Sequence, residues 1–355
     1  MIEVIDLLKK LIATPSFSKE EDGTADVLET YFHQKGLKTK RIQNNVVVGL
    51  DLYQAGKQTI LLNSHHDTVQ PNSGYTQDPF SPTEKEGRLY GLGSNDAGGA
   101  LVALIAAYER MREEKLNYNL LLLASAEEEI SGKNGVELAL KSLPEIDFGI
   151  VGEPTEMKAA VAEKGLMVID AKCHGKAGHA ARNNGENSIY KAMKDISWIS
   201  QYQFAKNSDW LGKSYMQVTQ INAGSQHNVI PANCEYVIDV RLTECDSFEE
   251  VLALLSENLH AEIRPRSTRL KPSGLKSNLV HQILEDKEIE KYGSPTLSDQ
   301  ALMPFDTLKM GPGKSERSHM ADEYIDLHEI ESAINQYEWL LNEMNIKIES
   351  YETVG

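Results

Sequence analysis

Residues 58–67 read QTILLNSHHD, an apolar run of strand length that stops at polar residues and then presents His65, His66 and Asp67. His65 and Asp67 are two apart, so an extended backbone points them to the same side. An imidazole with a carboxylate beside it to orient the ring is the geometry of a metal ligand. In isolation the same pair is more often a surface turn or a satisfied histidine. The rest of the chain has to decide between them.

Two further apolar runs end in the same way. NLLLLASAEEE ends in Glu127, Glu128 and Glu129, and DFGIVGEP places Glu153 just past a short strand. Between the first two runs, Asn95-Asp96 and the pair Gly98-Gly99 precede an apolar helix of about four turns. Taken singly, Asp96 is a helix N-cap and the glutamate triplet a solvated turn. Three strands each delivering an imidazole or carboxylate past the C-terminal end form a pattern that these separate readings leave unexplained. In parallel α/β sheets functional groups gather outside the carboxyl ends of the strands, which brings His65, Asp96, Glu128, Glu129 and Glu153 to one cleft. That many ionisable groups in one place repel one another unless a cation is present. The cluster therefore points to a metal.

The elements that must position these residues follow from the pattern of apolar positions. Helical spacing covers residues 2–13 and 20–36, the second ending at Gly36, and strand-like runs occupy 45–50 and 59–63. From 164 to 275 the order becomes βαββαβ, the signature of a small ferredoxin-like α+β domain. Its strands alternate polar and apolar residues, as a sheet with one open face requires. Helical patterns return at 278–291 and 328–345. The simplest organisation is a catalytic α/β domain, 1–163 with 276–355, interrupted by an inserted domain at 164–275.

A chain of 355 residues is too long for one ordinary core, which favours two domains. With 41% hydrophobic and 25% charged residues the composition is that of a globular protein rather than a disordered one. Thirty-six basic against 53 acidic side chains leave a net charge of −17, which disfavours nucleic acid and anionic membranes as partners. Cys173, Cys234 and Cys245 are odd in number and lack Cys-x-x-Cys spacing, so neither a disulfide framework nor a structural zinc site is indicated. The N-terminus reads as a folded amphipathic helix, and no run approaches the ~18 apolar residues that span a bilayer. A cytoplasmic protein is expected.

HHDTV at 65–69, GSNDAGGA at 93–100, EEEISG at 127–132, GEPT at 152–155 and GPGKSERSHMADEYI at 311–325 occur in order. In that order and spacing the chain resembles the M20 metallopeptidase family over essentially its whole length. The resemblance implies a zinc-aminopeptidase-like catalytic domain with an inserted ferredoxin-like lid and dimerisation domain. By position, His65, Asp96 and Glu153 resemble the ligands of one zinc and Asp96, Glu129 and His319 those of a second, with Asp96 bridging. Two Zn²⁺ per subunit are implied, Co²⁺ being a possible substitute, and imidazole and carboxylate ligands suit both ions. Glu128 resembles the general base and Asp67 the partner that orients His65. A one-residue shift in the glutamate run would instead make Glu127 the base and Glu128 the ligand.

In the inserted domain, Gly178-His179-Ala180 resembles the family segment whose histidine reaches the other subunit's active site and helps stabilise an oxyanion. Asn228 and Arg241 occupy positions that contact substrate in related enzymes, the arginine meeting an α-carboxylate. Ser298-Asp299 is a further substrate-side candidate. Beyond GHAA the chain reads RNNGENS, which departs from the family's usual stretch. The implied activity is hydrolysis of an N-acyl amino acid by a homodimer, with N-acetylornithine the expected substrate. N-succinyl amino acids and small peptides are the alternatives within the family, and a metal-free ligand-binding relative is the competing class.

Overall fold

The structure, a computed structural model, describes residues 2–352 and the side chains of 2–348. The chain divides into two compact units. One comprises Met1–Val161, Leu275–Tyr292 and Ser298–Gly355, and the other Ala162–Gly274 with Gly293–Leu297.

The first unit is built on a mixed sheet. Its centre is four parallel strands in the spatial order Asn119–Ser125, Thr59–His65, Phe148–Val151, Asp306–Lys309, flanked by antiparallel Asn45–Val48 and Ala159–Glu163. TILLNSH and NLLLLAS are buried at every position, because helices or loops cover both faces of a parallel sheet and leave no side to alternate toward water. The helix Gly99–Met111 is buried nearly all round, with Leu101, Leu104 and Ile105 fully enclosed, and is apolar on every side for that reason. It packs with Ile2–Ile12 and the long C-terminal helix Leu327–Glu352 on the larger face. A smaller cluster around Leu61, Leu123, Val151 and Met303 fills the opposite face. Among the described residues no helix is long and apolar enough to cross a membrane.

The second unit has strands Gly165–His174, Tyr215–Ala223, Asn233–Leu242 and Glu262–Pro265 with helices Ser188–Gln201 and Phe248–Asn258. Numbered along this unit, the strands lie in the order 2-3-1-4, all antiparallel, which is the ferredoxin-like arrangement. Gly165–His174 alternates buried and half-buried positions, and the buried set (Met167, Ile169, Ala171, Cys173) packs under the helices. Ser247 and Glu250 form a reciprocal capping box that starts the second helix.

One element differs from the expected pattern. The helix expected at 278–291 ends at Asp286, and Lys291–Ser294 is a strand. Glu288 takes a left-handed backbone (φ 56°) and Ile289 N donates back to Leu284 O at 2.9 Å, so the chain turns out of the helix there.

Candidate metal centre

His65 is the last residue of its strand, and Glu128, Glu129 and Glu153 follow directly on the neighbouring strands. The sheet therefore gathers them at its carboxyl end by register alone. Asp96 arrives differently. It lies in an irregular turn, Ser94–Gly98, and the helix that follows begins on Gly98 with no side-chain cap. Freed from capping, the Asp96 carboxylate lies between two imidazoles: Oδ1 is 3.2 Å from His65 Nε2 and Oδ2 is 3.7 Å from His319 Nε2. His319 Nε2 also lies 3.0 Å from Glu129 Oε2. His65 Nε2 is 3.9 Å from Glu153 and 4.0 Å from Glu128.

The turn carrying Asp96 is fixed by Glu323, a buried carboxylate that accepts from the backbone N–H groups of Gly93, Asn95 and Asp96 at 3.1, 2.8 and 2.9 Å. Asn95 in turn exchanges two hydrogen bonds with the backbone of Lys314, tying the loop that carries His319 to the same turn. Arg317 anchors that loop to Asp326 and Glu329. His319 itself has a left-handed backbone, φ 60°.

Asp67 is buried behind His65. Its backbone oxygen lies 3.0 Å from His65 Nδ1 and its Oδ1 3.5 Å, so the ring is held with Nε2 toward the cluster. Asp67 also accepts from Ser18 Oγ at 2.7 Å and from the backbone N–H groups of Glu128 and Glu129. Glu127 is turned elsewhere: its carboxylate accepts from the backbone and side chain of Asn134, and Gly132 lacks the side chain that would run into it. His66 is buried, with ring nitrogens 2.8 Å from Thr24 Oγ1 and 2.9 Å from Asn44 O, and burial pushes it down to about 4. It serves as packing.

The electrostatics are those of crowded acids. Burial pushes the Glu128 carboxyl well above the usual range, and burial with the field of Asp96 takes Glu153 up to about 8 against the pull of His65 and Lys309. Burial takes Glu323 to about 8 and Asp299 to about 6. Burial opposes charge on His65, but its hydrogen bonds to Asp67 and Asp96 outweigh this and raise it well above the ordinary imidazole range. Glu129 raises His319 to about 9. Held by protein groups alone, these side chains compete for protons, and a divalent cation satisfies the same demand.

The donors fit one. They are imidazole and carboxylate throughout, and two sets, His65/Asp96/Glu129 and His65/Glu128/Glu153, each bring one ligand atom per residue within 4.8 Å of the others. Such separations leave room for an ion about 2 Å from each. His319 stands outside both sets and joins the first through Glu129 and Asp96.

Several residues of the site take roles the sequence did not point to. Asp299 lies under the cluster, accepting from Asn63 Nδ2 at 2.8 Å and Ser125 Oγ at 2.6 Å, and thereby ties two strands together beneath it. The adjacent Ser298 hydroxyl accepts from Gln300 N at 3.4 Å. Glu323 and Lys309 were invisible as site residues. The remaining sequence candidates lie on the second unit. His179 is exposed and its Nδ1 accepts from Ala181 N, Asn228 O accepts from Ala180 N, and Arg241 pairs with Asp239 at 2.8 Å.

The fold and this cluster define a class, and the chain belongs to peptidase family M20/M25/M40, whose model matches residues 61–343. It is a metal-dependent hydrolase of amide bonds. The chain is 30% identical to the acetylornithine deacetylase of Proteus mirabilis (strain HI4320), over 92% of this chain and 93% of that one. Among solved structures it is similar to the aminopeptidase PepT of Bacillus cereus ATCC 10987 (TM-score 0.76, 18% identity, 96% of this chain and 97% of that one). It is also similar to the YXEP protein of Bacillus subtilis, described as a dinuclear metal-binding peptidase of the M20 family (TM-score 0.71, 15% identity, 97% of each chain).

Proposed function

We propose that this protein is a dinuclear zinc deacylase that removes the acetyl group from N-acetylornithine, a step of arginine biosynthesis, in the cytoplasm. The observation that carries the dinuclear reading is Asp96, whose two oxygens face two different imidazoles, His65 and His319. Nearly full-length similarity to an acetylornithine deacetylase supports the substrate.

His65, Asp96 and Glu153 would hold one ion and Asp96, Glu129 and His319 the other. Two Zn²⁺ ions held there would supply Lewis-acid polarisation of the scissile carbonyl and would lower the pKa of water toward neutrality. Glu128 takes the proton of the attacking water and delivers it to the departing amine, a role suited to a carboxyl whose burial already favours the protonated form. Asp67 holds the His65 ring and the backbone of Glu128 and Glu129. His179 donates to the developing oxyanion, Arg241 receives the substrate α-carboxylate, and Asn228 and Ser298 line the substrate.

The protein works as a homodimer through the inserted unit. Tyr190 and Met193 on the helix Ser188–Gln201, and Ile221 on the edge strand Tyr215–Ala223, are apolar and exposed, as an interface requires.

The test is a deacylation screen of the zinc-loaded protein across N-acetyl, N-succinyl and N-formyl amino acids and dipeptides. N-acetylornithine is expected to give the highest kcat/KM. Preferential cleavage of a dipeptide or of an N-succinyl amino acid would reassign the substrate.

A further inference from the structure

The strand Asp306–Lys309 ends in a lysine that is only 2% exposed. A fully enclosed ammonium is rare unless opposite charge lies nearby. Register shows where it lies. Lys309 sits beside Val151, Val151 beside Asn63, and Asn63 beside Leu123, so these four form one row across the sheet. Residues in such a row share a face, and Val151 and Leu123 belong to the smaller core cluster while Leu308 belongs to the larger. Lys309 is therefore on the face of Asn63 and of its partner Asp299.

Two residues beyond Asn63 on that same face is His65, the end of the strand. Lys309 thus occupies the row immediately beneath the metal ligands. Past the strand ends the two segments remain in close contact: Gly311 lies so near the backbone of Glu153 that a Cβ there would come within 2.4 Å of Glu153 O.

We propose that Lys309 is a positioning residue of the metal centre, a built-in cation that acts through Glu153 and makes the two metal positions unequal, weakening the Glu153 side. The inference rests on the dinuclear reading above. Four carboxylates converge on the site, and an enclosed positive charge one row below offsets part of their repulsion within the folded chain. The same charge repels an incoming dication, and it does so most strongly at the ion nearest Glu153. A low-dielectric setting makes this worth a factor of about ten or more in affinity.

The experiment is a calorimetric titration of the metal-free full chain with Co²⁺, for the wild type, Lys309→Met and Lys309→Gln, with the visible absorption of bound Co²⁺ recorded in parallel. Both substitutions remove the charge, and glutamine keeps a hydrogen-bonding end. The weaker of the two binding steps is expected to tighten about tenfold or more in both variants, with the stronger step and the Co²⁺ spectrum little changed. A merely structural lysine would predict the opposite, looser binding at both steps with an altered spectrum. Unchanged or weakened affinity in both variants overturns the proposal. If the metal-free variants unfold too readily for titration, the rise in denaturation midpoint at a fixed Co²⁺ concentration reads the same affinity, and a smaller rise than in the wild type is the overturning result. A wild type that takes up fewer than two ions per chain defeats the dinuclear reading itself. Two ions in the wild type with no change in the variants defeats only the assignment of Lys309.

Discussion

Asp67 holds Glu128 by its backbone: Asp67 Oδ1 accepts from Glu128 N at 3.0 Å, and Oδ2 accepts from Glu129 N at 3.2 Å. One buried carboxylate therefore sets both the ring of His65 and the turn that carries the two glutamates. Burial opposes ionisation of Asp67, but hydrogen bonds to His65, Ser18 and Glu128 outweigh it and hold the group below the usual range, so it is ionised at neutral pH. Asp67→Ala is expected to lower kcat by at least tenfold. It also leaves buried N–H groups unpaired, each costing about 1–3 kcal/mol. Steady-state kinetics and denaturant melts of the variant check both parts, and wild-type kcat at normal stability would refute the role.

Glu128→Gln removes the proton acceptor while preserving the shape of the side chain. Turnover is expected to fall by about 10²–10⁴, the usual contribution of general base catalysis. Metal content should stay near that of the wild type, because His65, Asp96, Glu129, Glu153 and His319 are untouched. If metal is lost together with activity, Glu128 is a ligand, as its place in the set with His65 and Glu153 would allow.

His179→Ala tests the part of the reading that depends on two subunits. It is expected to reduce kcat by about 10²-fold, the cost of losing one oxyanion donor, while metal binding is retained. Mixing inactive His179→Ala chains with inactive Glu128→Ala chains should restore activity, because one of the two sites in a heterodimer is then complete. No recovery on mixing, with heterodimers demonstrated, would place His179 outside the chemistry.

The family, the α/β class and the ferredoxin-like insertion were legible because each motif follows an apolar run and its consequence is local. His65, Glu128, Glu129 and Glu153 sit past strand ends, so register alone brings them together. Lys309 was not legible as a site residue, and Asp299 was legible only as a substrate-side neighbour of Ser298, not as the tie between strands. Asp299 reaches Asn63 across 236 positions of sequence, and Lys309 is placed by a strand pairing that no short pattern encodes. Asp96 was legible only as part of the cluster pattern, not by itself. An aspartate ahead of a helix reads as a cap, and only the irregular Ser94–Gly98 turn held by Glu323 releases it for other use.

Without metal, the cluster should make the protein more stable in mild acid than in mild base. Glu153 and Glu323 at about 8, Asp299 at about 6 and His319 at about 9 all lie above their unfolded values, so the folded chain binds more protons than the unfolded one between roughly pH 4 and 9. Stability then falls as pH rises through that window. Metal replaces those protons, so loading should release protons near pH 7 and flatten or reverse the dependence. Thermal melts of the metal-free and loaded protein at pH 5.5 and 8.5 test this, and a metal-free protein more stable at 8.5 would contradict it.

The inserted unit should respond to acid with the opposite sign. Asp195, on the helix Ser188–Gln201, is 1% exposed and accepts from Cys173 Sγ, Tyr236 OH, His260 N, Ala261 N and His260 Nδ1, the last at 2.7 Å. Burial alone would raise this carboxyl, but the hydrogen bonds, led by those from His260, hold it below 3.8. A depressed carboxylate contributes stability that is present above the unfolded value and lost as pH falls through the folded one, so the loss begins only below about pH 4. Asp195→Asn keeps one acceptor oxygen but, whichever way it turns, sets its amide against a backbone N–H, of His260 or of Ala261, that can only donate. It is expected to destabilise the protein by about 3 kcal/mol or more, since several buried donors lose their partner at once. The substitution lies in the unit that does not carry the proposed metal ligands, so metal affinity should be unchanged. A melt within about 0.5 kcal/mol of the wild type, the range of an ordinary surface substitution, would show that the five contacts carry no net stabilisation.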